Sequence, residues 1–467
     1  MIVIGGGLAG LSAGVSLAEA GWHVRLFEQR PFLGGRATSY VLPDGEHVDN
    51  CQHVTLGCCT NLEDFYRKVG AQGKIRYFDR LLFQDPQGRT GEMKAGVLPA
   101  PLHMTGSFLA FAPLSLADKQ SIASALLDIL RGKGHTADLD TPGGISMLNW
   151  LKKRNQTHGA IERFWRVVLV SALDEELDQT DARFGVDVFW KGFLSNRSGY
   201  RMGVPSVPLA ELYDGCKDEI EKRGGEVTLR MPMRAIRYAE GLVQAVEFDG
   251  SRQESADAYV FAVPHENLTD LLPEAVKLRE PLLAKLGNIK VSPITGVHFW
   301  FDREVMREPF VTLLDTATQW IFNKTALYAG RNGNGQPKGQ YLQLVISASY
   351  EFLQKPRQEI IDLCLAEVRH AFPAAKDANL VKATVIKEAA ATFSPQPGVD
   401  LWRPKQQTAV INLFLAGDWT NTGWPATMEG AVRSGYLAAE AVLRAAATPK
   451  RLVQPDLPPD GLVGWFV

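Results

Sequence analysis

Residues 1–36 leave little freedom in what this chain can fold into. Met1-Ile2-Val3-Ile4 is an apolar β-branched run, Gly5-Gly6-Gly7-Leu8-Ala9-Gly10 sets glycines at G-x-G-x-x-G spacing, and residues 11–20 carry helical periodicity up to Gly21. A second apolar run, Val24-Arg25-Leu26-Phe27, ends on Glu28. The order is strand, tight turn, helix, and strand with an acid at its tip, which opens a dinucleotide-binding α/β domain. Gly5 permits the sharp turn, Gly7 lets backbone approach a pyrophosphate, and Gly10 lets helix and strand pack closely. Leu8, Ala9 and Gly10 open the helix, whose free N–H groups and positive dipole end attract phosphate. Glu28, with Gln29 beside it, stands where a carboxylate accepts hydrogen bonds from ribose hydroxyls.

Soon after the acid comes Gly34-Gly35-Arg36-Ala37, a second glycine turn bearing a guanidinium that can reach the same pyrophosphate. Far along the chain, residues 410–420 read as a buried strand that carries Gly417-Asp418. Ala426-Thr427-Met428-Glu429-Gly430-Ala431 then opens a helix running to about residue 446. Asp418 at a strand tip can bind ribityl hydroxyls. N–H groups near Met428 can face the pyrimidine end of a flavin, where the helix dipole stabilises negative charge on the reduced ring.

A length of 467 residues suits two or three domains. The formal net charge of −2 gives no basic excess, so nucleic acid is not an expected partner. Five cysteines, Cys51, Cys58, Cys59, Cys216 and Cys364, form no C-x-x-C pair, which argues against a disulfide framework, and no metal site is expected. No run of about 18 apolar residues exists to cross a bilayer. The first strand begins at residue 1, so no secretory signal is expected, and the chain reads as cytoplasmic or as trimmed.

Between the two nucleotide signatures lie other signals. Val48-Asp49-Asn50-Cys51-Gln52-His53-Val54 is a polar cluster between apolar residues, as suits a segment facing a cavity. Pro99, Pro101 and Pro113 break an apolar stretch that includes Phe108 and Phe111 into short helices. That stretch reads either as the core of a second domain or as a lipid-facing patch at a tunnel mouth. Residues 140–200 read as helical and aromatic-rich. Residues 209–223 form a helix, residues 226–236 (including Met233) and 242–248 form strands, and residues 257–264 return to the parallel sheet. Residues 294–302, with Trp300, and 342–349 alternate as antiparallel strands, and residues 359–372 form a helix. The glycine turn at residues 330–335 is not a phosphate loop, because no strand feeds it. A proline-rich tail, residues 448–467, is open to three readings: disordered, packed on the body, or dipping into a bilayer interface.

The pair of signatures, Gly5-x-Gly7-x-x-Gly10 with Glu28 and Gly34-Gly35-Arg36, and Leu415-Ala416-Gly417-Asp418 with Met428-Glu429-Gly430-Ala431, resembles the FAD-dependent amine oxidase and phytoene desaturase superfamily. More narrowly, Asp49-Asn50-x-Gln52-His53-Val54, residues 98–102, and Trp419-Thr420-x-Thr422-Gly423-Trp424-Pro425-Ala426-Thr427-Met428 resemble the hydroxysqualene dehydroxylases, squalene-associated flavoenzymes of hopanoid synthesis. The resemblance spans residues 1 to about 446. It departs at Cys51, where relatives often carry Gly. It also departs at Thr295, near the position where amine oxidases keep a lysine beside flavin N5, which weakens an amine oxidase reading.

The resemblance implies an α/β fold: a Rossmann-like FAD-binding domain with a parallel sheet, and an inserted α+β substrate domain of antiparallel sheet plus helices. Residues 1–85, 195–275 and 405–447 form the first, residues 86–194 and 276–404 the second, and residues 448–467 a tail. The implied cofactor is non-covalent FAD, held by Gly5, Gly7, Leu8, Ala9, Gly10, Glu28, Gln29, Gly34, Gly35, Arg36, Met233, Gly417, Asp418, Ala426, Thr427 and Met428. The implied reaction converts 12-hydroxysqualene to squalene with a hydride from reduced FAD. Asp49 and His53, with Gln52 beside them, are the expected acid and proton relay. Asn50, Phe108, Phe111, Trp300 and Trp424 are expected to meet a long-chain isoprenoid in a dry channel.

Expected partners are a membrane surface, bound peripherally, and an external electron donor that the sequence leaves unidentified, since no second nucleotide fingerprint exists for NADPH. Two alternatives stand beside this reading. One is a carotenoid or squalene desaturase of the phytoene type, running the flavin in the oxidative direction. The other is a flavin-free prenyl-lipid carrier of the GDP-dissociation-inhibitor kind, against which intact Arg36 and Asp418 argue.

Overall fold

The structure is a computed structural model that describes residues 1–328 and 339–465. The glycine turn at residues 330–335 lies outside them, as do Phe466 and Val467. The first strand, Ile2–Ile4, is wholly buried and lies at the centre of a five-stranded parallel sheet. Its neighbours are Arg25–Phe27 and then Glu226–Thr228 on one side, and Tyr259–Phe261 and then Leu413–Leu415 on the other. Strands buried on both faces need apolar residues throughout, which is why Ile-Val-Ile, Tyr-Val-Phe and Leu-Phe-Leu occur here. The helix Leu8–Glu19 is buried along nearly its whole length, against the sheet and against the helix Met428–Ala445. Ser12 Oγ donates to the Val432 carbonyl across that contact, at 3.2 Å.

A second, seven-stranded sheet runs in the order Leu380–Phe393, Val291–Phe301, Gln340–Ile346, Trp320–Asn323, Phe310–Leu313, Arg80–Gln84 and Thr90–Lys94. All its pairs are antiparallel except Phe310–Leu313 with Arg80–Gln84. Helices between residues 105 and 194 cover one side of it. Two of their stretches, Ile161–Trp165 and Trp190–Leu194, are wound as π-helix, a form that clusters at functional sites. The mixed α/β architecture with a parallel and a largely antiparallel sheet is the one the sequence implies.

The tail takes one of its three expected states, and the details differ in four places, one being the run 226–236, which splits into Glu226–Thr228 in the parallel sheet and Met233–Ala239 paired with Leu242–Phe248. Arg80–Gln84, assigned by sequence to the nucleotide-binding segment 1–85, hydrogen-bonds into the other sheet. The strand expected over residues 410–420 is only Leu413–Leu415, because Thr408 Oγ1 takes the Val410 N–H and donates to the Leu413 carbonyl, closing a turn before it. The helix expected over residues 209–223 is a 3-10 turn, Leu209–Tyr213, followed by an α-helix, Asp214–Glu221. The tail, of three possible states, is packed on the body: Gln454 N–H donates to Asn61 Oδ1, Asn196 Nδ2 to the Pro458 carbonyl, and Leu462 N–H to the Ala100 carbonyl.

Candidate functional site

The turn after Ile2–Ile4 leaves a place for a phosphate. Gly5 has φ +108°, and a side chain on Gly10 would overlap the Gly5 carbonyl, so only glycine closes this turn. The helix Leu8–Glu19 has Gly7 at its N-cap, no side-chain cap and no acid in its first turn, so Leu8, Ala9 and Gly10 offer their N–H groups outward. Gly35 crosses Gly7 so closely that a Cβ on Gly7 would sit 3.7 Å from its Cα. Two glycine turns thus make a slot bare of side chains.

Charged groups complete it. Glu28 is buried at the strand tip and accepts from Gly6 N at 2.6 Å and Arg30 N at 2.7 Å. Arg36 pairs with Asp418 across the sheet's C-terminal edge. Burial works against the guanidinium charge, but Asp418 outweighs it and holds Arg36 above its ordinary value. Gly417 N–H donates to Ser434 Oγ at 2.8 Å, fixing Asp418 at the mouth, and Thr427 caps the helix Met428–Ala445 by accepting from Gly430 N at 3.0 Å. Met233 is buried at the start of its strand, and the preceding Met231 donates its N–H to the Glu28 carbonyl at 2.9 Å. Gln29 is exposed. A bare slot, an uncapped helix N-terminus, a guanidinium and two acids at strand tips fit a dinucleotide.

The polar cluster leads away from this cradle. The strand His47–Asp49 pairs with Ser39–Val41, which turns Asp49 inward. There Asp49 Oδ2 accepts from Lys324 Nζ at 2.7 Å and from Tyr328 OH at 3.1 Å, and Oδ1 accepts from Ser39 Oγ at 2.7 Å and Leu209 N at 3.0 Å. Lys324 is 0% and Asp49 1% exposed. Burial opposes the charge on Asp49, but Lys324 outweighs it and holds the carboxyl below the usual range. Lys324 also donates to Gln52 Oε1 at 2.8 Å, so Gln52 Nε2 turns to the His53 carbonyl at 3.0 Å. His53 Nδ1 lies 3.1 Å from the Cys51 carbonyl, and burial holds the imidazole below its ordinary value, hence neutral.

Gln52 opens onto a cavity of about 230 Å³. Its walls are mainly apolar, among them Leu81, Phe83, Val167, Phe193, Trp320 and Phe322, and it reaches Trp424, Thr427 and Met428 at one end. Ser171, Ser347, Asp187, Lys191 and Glu429 add polar groups, Lys191 being paired with Asp187 at 3.0 Å. Burial raises Glu429 to about 7 although it accepts from Leu62 N and Asn61 Nδ2. A larger hollow of about 590 Å³ between Glu19–His23 and Leu443–Lys450 lies at the far end of the first helix from Gly7.

The structure sorts the expected substrate residues. Gln52 and Trp424 line the cavity. Asn50 does not: its Nδ2 donates to the Arg36 carbonyl at 2.6 Å, bracing the second glycine turn. Phe111 stands one layer out, edge-on to Phe83 at 5.2 Å, and Phe108 packs on Phe164 at 5.9 Å. Trp300 stacks on Tyr341 at 4.6 Å beneath Lys382 and is not among the cavity walls. Trp320 and Phe322 are there instead, because alternation along Trp320–Asn323 points both to one face. Asp49 as proton donor does not fit a carboxylate already ionised against Lys324. Thr295 donates to Ser349 Oγ at 2.9 Å, and the buried lysine beside the cluster is Lys324. Its only sequence signal is a lone lysine directly after an apolar strand.

The profile of the flavin containing amine oxidoreductase family matches residues 8–443. Zeta-carotene desaturase of Synechocystis sp. is 28% identical, over 94% of this chain and 96% of its own. The 15-cis-phytoene desaturase of Synechococcus elongatus is 26% identical, over 94% and 95%. Among solved structures, an oxidoreductase from Methanosarcina mazei superposes with a TM-score of 0.72 at 19% identity, over 93% of this chain and 98% of that one. Putrescine oxidase bound to putrescine gives 0.69 at 15% identity, over 95% and 98%. With the cradle described above, FAD is the cofactor.

Proposed function

Because the chain belongs to the flavin containing amine oxidoreductases, we propose that it is an FAD-dependent oxidoreductase of the carotenoid-desaturase type, acting on a long-chain isoprenoid. The observation that carries this reading is the cavity of about 230 Å³ walled by Leu81, Phe83, Val167, Phe193, Trp320 and Phe322 and reaching Thr427-Met428. It is smaller than the roughly 300–1,000 Å³ of a pocket that encloses a whole drug-sized ligand, so it grips one segment of a long chain. FAD, when bound, accepts or gives the hydride. The protein's own residues hold the chain against that end, exclude water with aromatic walls, and fix one amide, Gln52, through Lys324 and Asp49.

A second reading runs the same flavin in reverse: reductive removal of an allylic hydroxyl, 12-hydroxysqualene to squalene. The polar part of the cavity wall favours it. Gln52, Ser171, Ser347 and the Asp187–Lys191 pair stand on the wall of an otherwise apolar hollow, where a hydroxyl on the chain could add a hydrogen bond to groups the protein already holds in place.

One anaerobic comparison separates the two. Oxidised, FAD-loaded protein with zeta-carotene or phytoene in detergent is expected to bleach its flavin and yield a product with one more double bond. Dithionite-reduced protein with 12-hydroxysqualene is expected to do so only under the second reading, by regaining flavin colour as squalene forms. Protein that purifies colourless and takes up no FAD would remove both readings.

The partner surface is a bilayer, reached peripherally. No helix among the described residues is long and apolar enough to cross a membrane. Val97, Leu98, Leu102, Leu109 and Leu116 are exposed, Val97 at 93%, and the tail sets Leu462 and Trp465 beside them by the Leu462–Ala100 hydrogen bond. Such a patch supports weak, reversible attachment. The double variant V97S/W465S is expected to leave liposome pellets that wild-type protein enters; equal pelleting of the two would count against it.

A further inference from the structure

Redox chemistry at an allylic carbon moves a proton as well as a hydride, and neither Asp49, ionised against Lys324, nor neutral His53 is placed to give one. Another carboxyl is. The helix Arg166–Leu173 ends on Asp174, which has φ +54°, and the strand Gln340–Ile346 is followed by Ala348 at φ +49°. Nine non-glycine residues among those described lie in the left-handed region, and these two are in contact. They hold each other: Ala348 N–H donates to Asp174 Oδ1 at 2.8 Å. Thr392 Oγ1 lies 3.1 Å from Oδ2, and Ser292 Oγ donates to the Asp174 carbonyl.

Ser171 and Ala172, on the same helix, and Ser347, next to Ala348, line the cavity. Thr392 follows Ala391, whose carbonyl accepts from Arg36 Nη1 at 3.3 Å. Asp174 itself does not line the cavity; it lies directly behind the wall residues Ser171, Ala172 and Ser347, and through Thr392 it adjoins the strand that meets Arg36. It is 4% exposed, and neither it nor Glu175 forms an ion pair with any described residue. The titratable groups facing it are Glu175, whose Oε2 accepts from Tyr350 OH at 2.6 Å and Ser394 Oγ at 2.5 Å, Tyr350 itself, and Cys51. None is a cation. Burial above all, with Glu175 adding to it, pushes the Asp174 carboxyl well above the usual range, against the hydrogen bonds from Ala348 and Thr392 that favour its charged form.

We infer that Asp174 is the proton-exchanging acid of this site, held by Ala348 and Thr392 directly behind the wall of the isoprenoid cavity. The inference rests on the oxidoreductase reading above. In dehydroxylation the Asp174 O–H bond breaks and its proton passes to the substrate hydroxyl. The C–O bond breaks with its electron pair on oxygen, water leaves, and the carbon takes a hydride from the reduced flavin anion, which ends oxidised. The carboxylate regains its proton from water. In desaturation, ionised Asp174 takes the proton that the carbon chain loses after hydride departure.

The test is Asp174→Asn, whose amide oxygen still accepts from Ala348. With whichever substrate wild-type protein turns over in the anaerobic single-turnover assay, D174N is expected to bind FAD and to react at least about 100-fold more slowly. It is also expected to lack an infrared band of a buried protonated carboxyl that wild type shows. Wild-type speed in D174N, with wild type active, would overturn the inference. Wild type inert with every substrate would instead overturn the functional reading, and the inference with it. If D174N fails to retain FAD, the wild-type pH profile decides. Dehydroxylation that slows as pH rises through the acid's titration, or desaturation that quickens, supports the assignment; a flat profile from about pH 5 to 9 overturns it.

Discussion

Replacing Lys324 with methionine is expected to lower the unfolding free energy by about 3–5 kcal/mol, because it strands a carboxylate inside the protein. Asp49 and Lys324 are almost wholly buried, and three of the four bonds to Asp49 come from neutral donors: Ser39, Leu209 and Tyr328. Those dipoles cannot replace a cation in a low-dielectric interior. The double variant K324M/D49N removes both charges and is expected to lie much nearer wild type, since a buried pair is worth less than the cost of breaking it. Urea unfolding of the three proteins, followed by tryptophan fluorescence, measures both quantities. The K324M deficit should also shrink in acid. Without its cation, Asp49 has a raised value in the folded state, so its contribution is favourable below the ordinary 3.8 and is lost as pH rises through the folded value. A K324M protein within about 1 kcal/mol of wild type at neutral pH would mean that the pair is not charged.

A single methyl group at Gly10 is expected to cost the protein its flavin. The Cβ of Gly10→Ala would overlap the Gly5 carbonyl and press on Ala262 Cβ at 3.1 Å. Both neighbours belong to the sheet edge, so the first turn of the helix Leu8–Glu19 must lift away. That removes the N–H groups aimed at the pyrophosphate and opens the core, with overpacking losses of about 1–3 kcal/mol. FAD affinity should fall at least about tenfold, since 1.4 kcal/mol is enough for that. Gel filtration with absorbance at the flavin band, and titration of apoprotein with FAD, give the readout. Gly21→Ala is the control, because a side chain there meets nothing within 4 Å and its φ of +88° brings only local strain. Equal FAD retention in G10A and wild type would show that the turn is not the phosphate site.

The two glycine turns were legible in the sequence because their function depends on backbone. A bare turn, a close helix and an acid at a strand tip all require particular residue types at particular spacings, so Gly5, Gly7, Gly10, Glu28 and Arg36 announce themselves. Strand ends were less legible: residues 410–420 read as one apolar run, yet the Thr408 side chain closes a turn that leaves only Leu413–Leu415 in the sheet. Alternation alone could not tell Trp300 from Trp320. Both sit on apolar strands of the same sheet, and which one meets the cavity depends on what packs over each face.

The reacting groups lay further from view. Asp49 reads as a free acid in a polar cluster, and only Lys324, hundreds of residues later, makes it a fixed carboxylate. Asp174 carries no signal of its own within the stretch 140–200, which reads only as helical and aromatic-rich, and only the sheet above it, through Ala348 and Thr392, makes it a buried acid. The sequence by itself determined the nucleotide fold and the cofactor, since local turn geometry specifies them. The tertiary structure alone decided which carboxyls are charged, because charge in an interior is set by burial and by partners that the chain brings together from far apart.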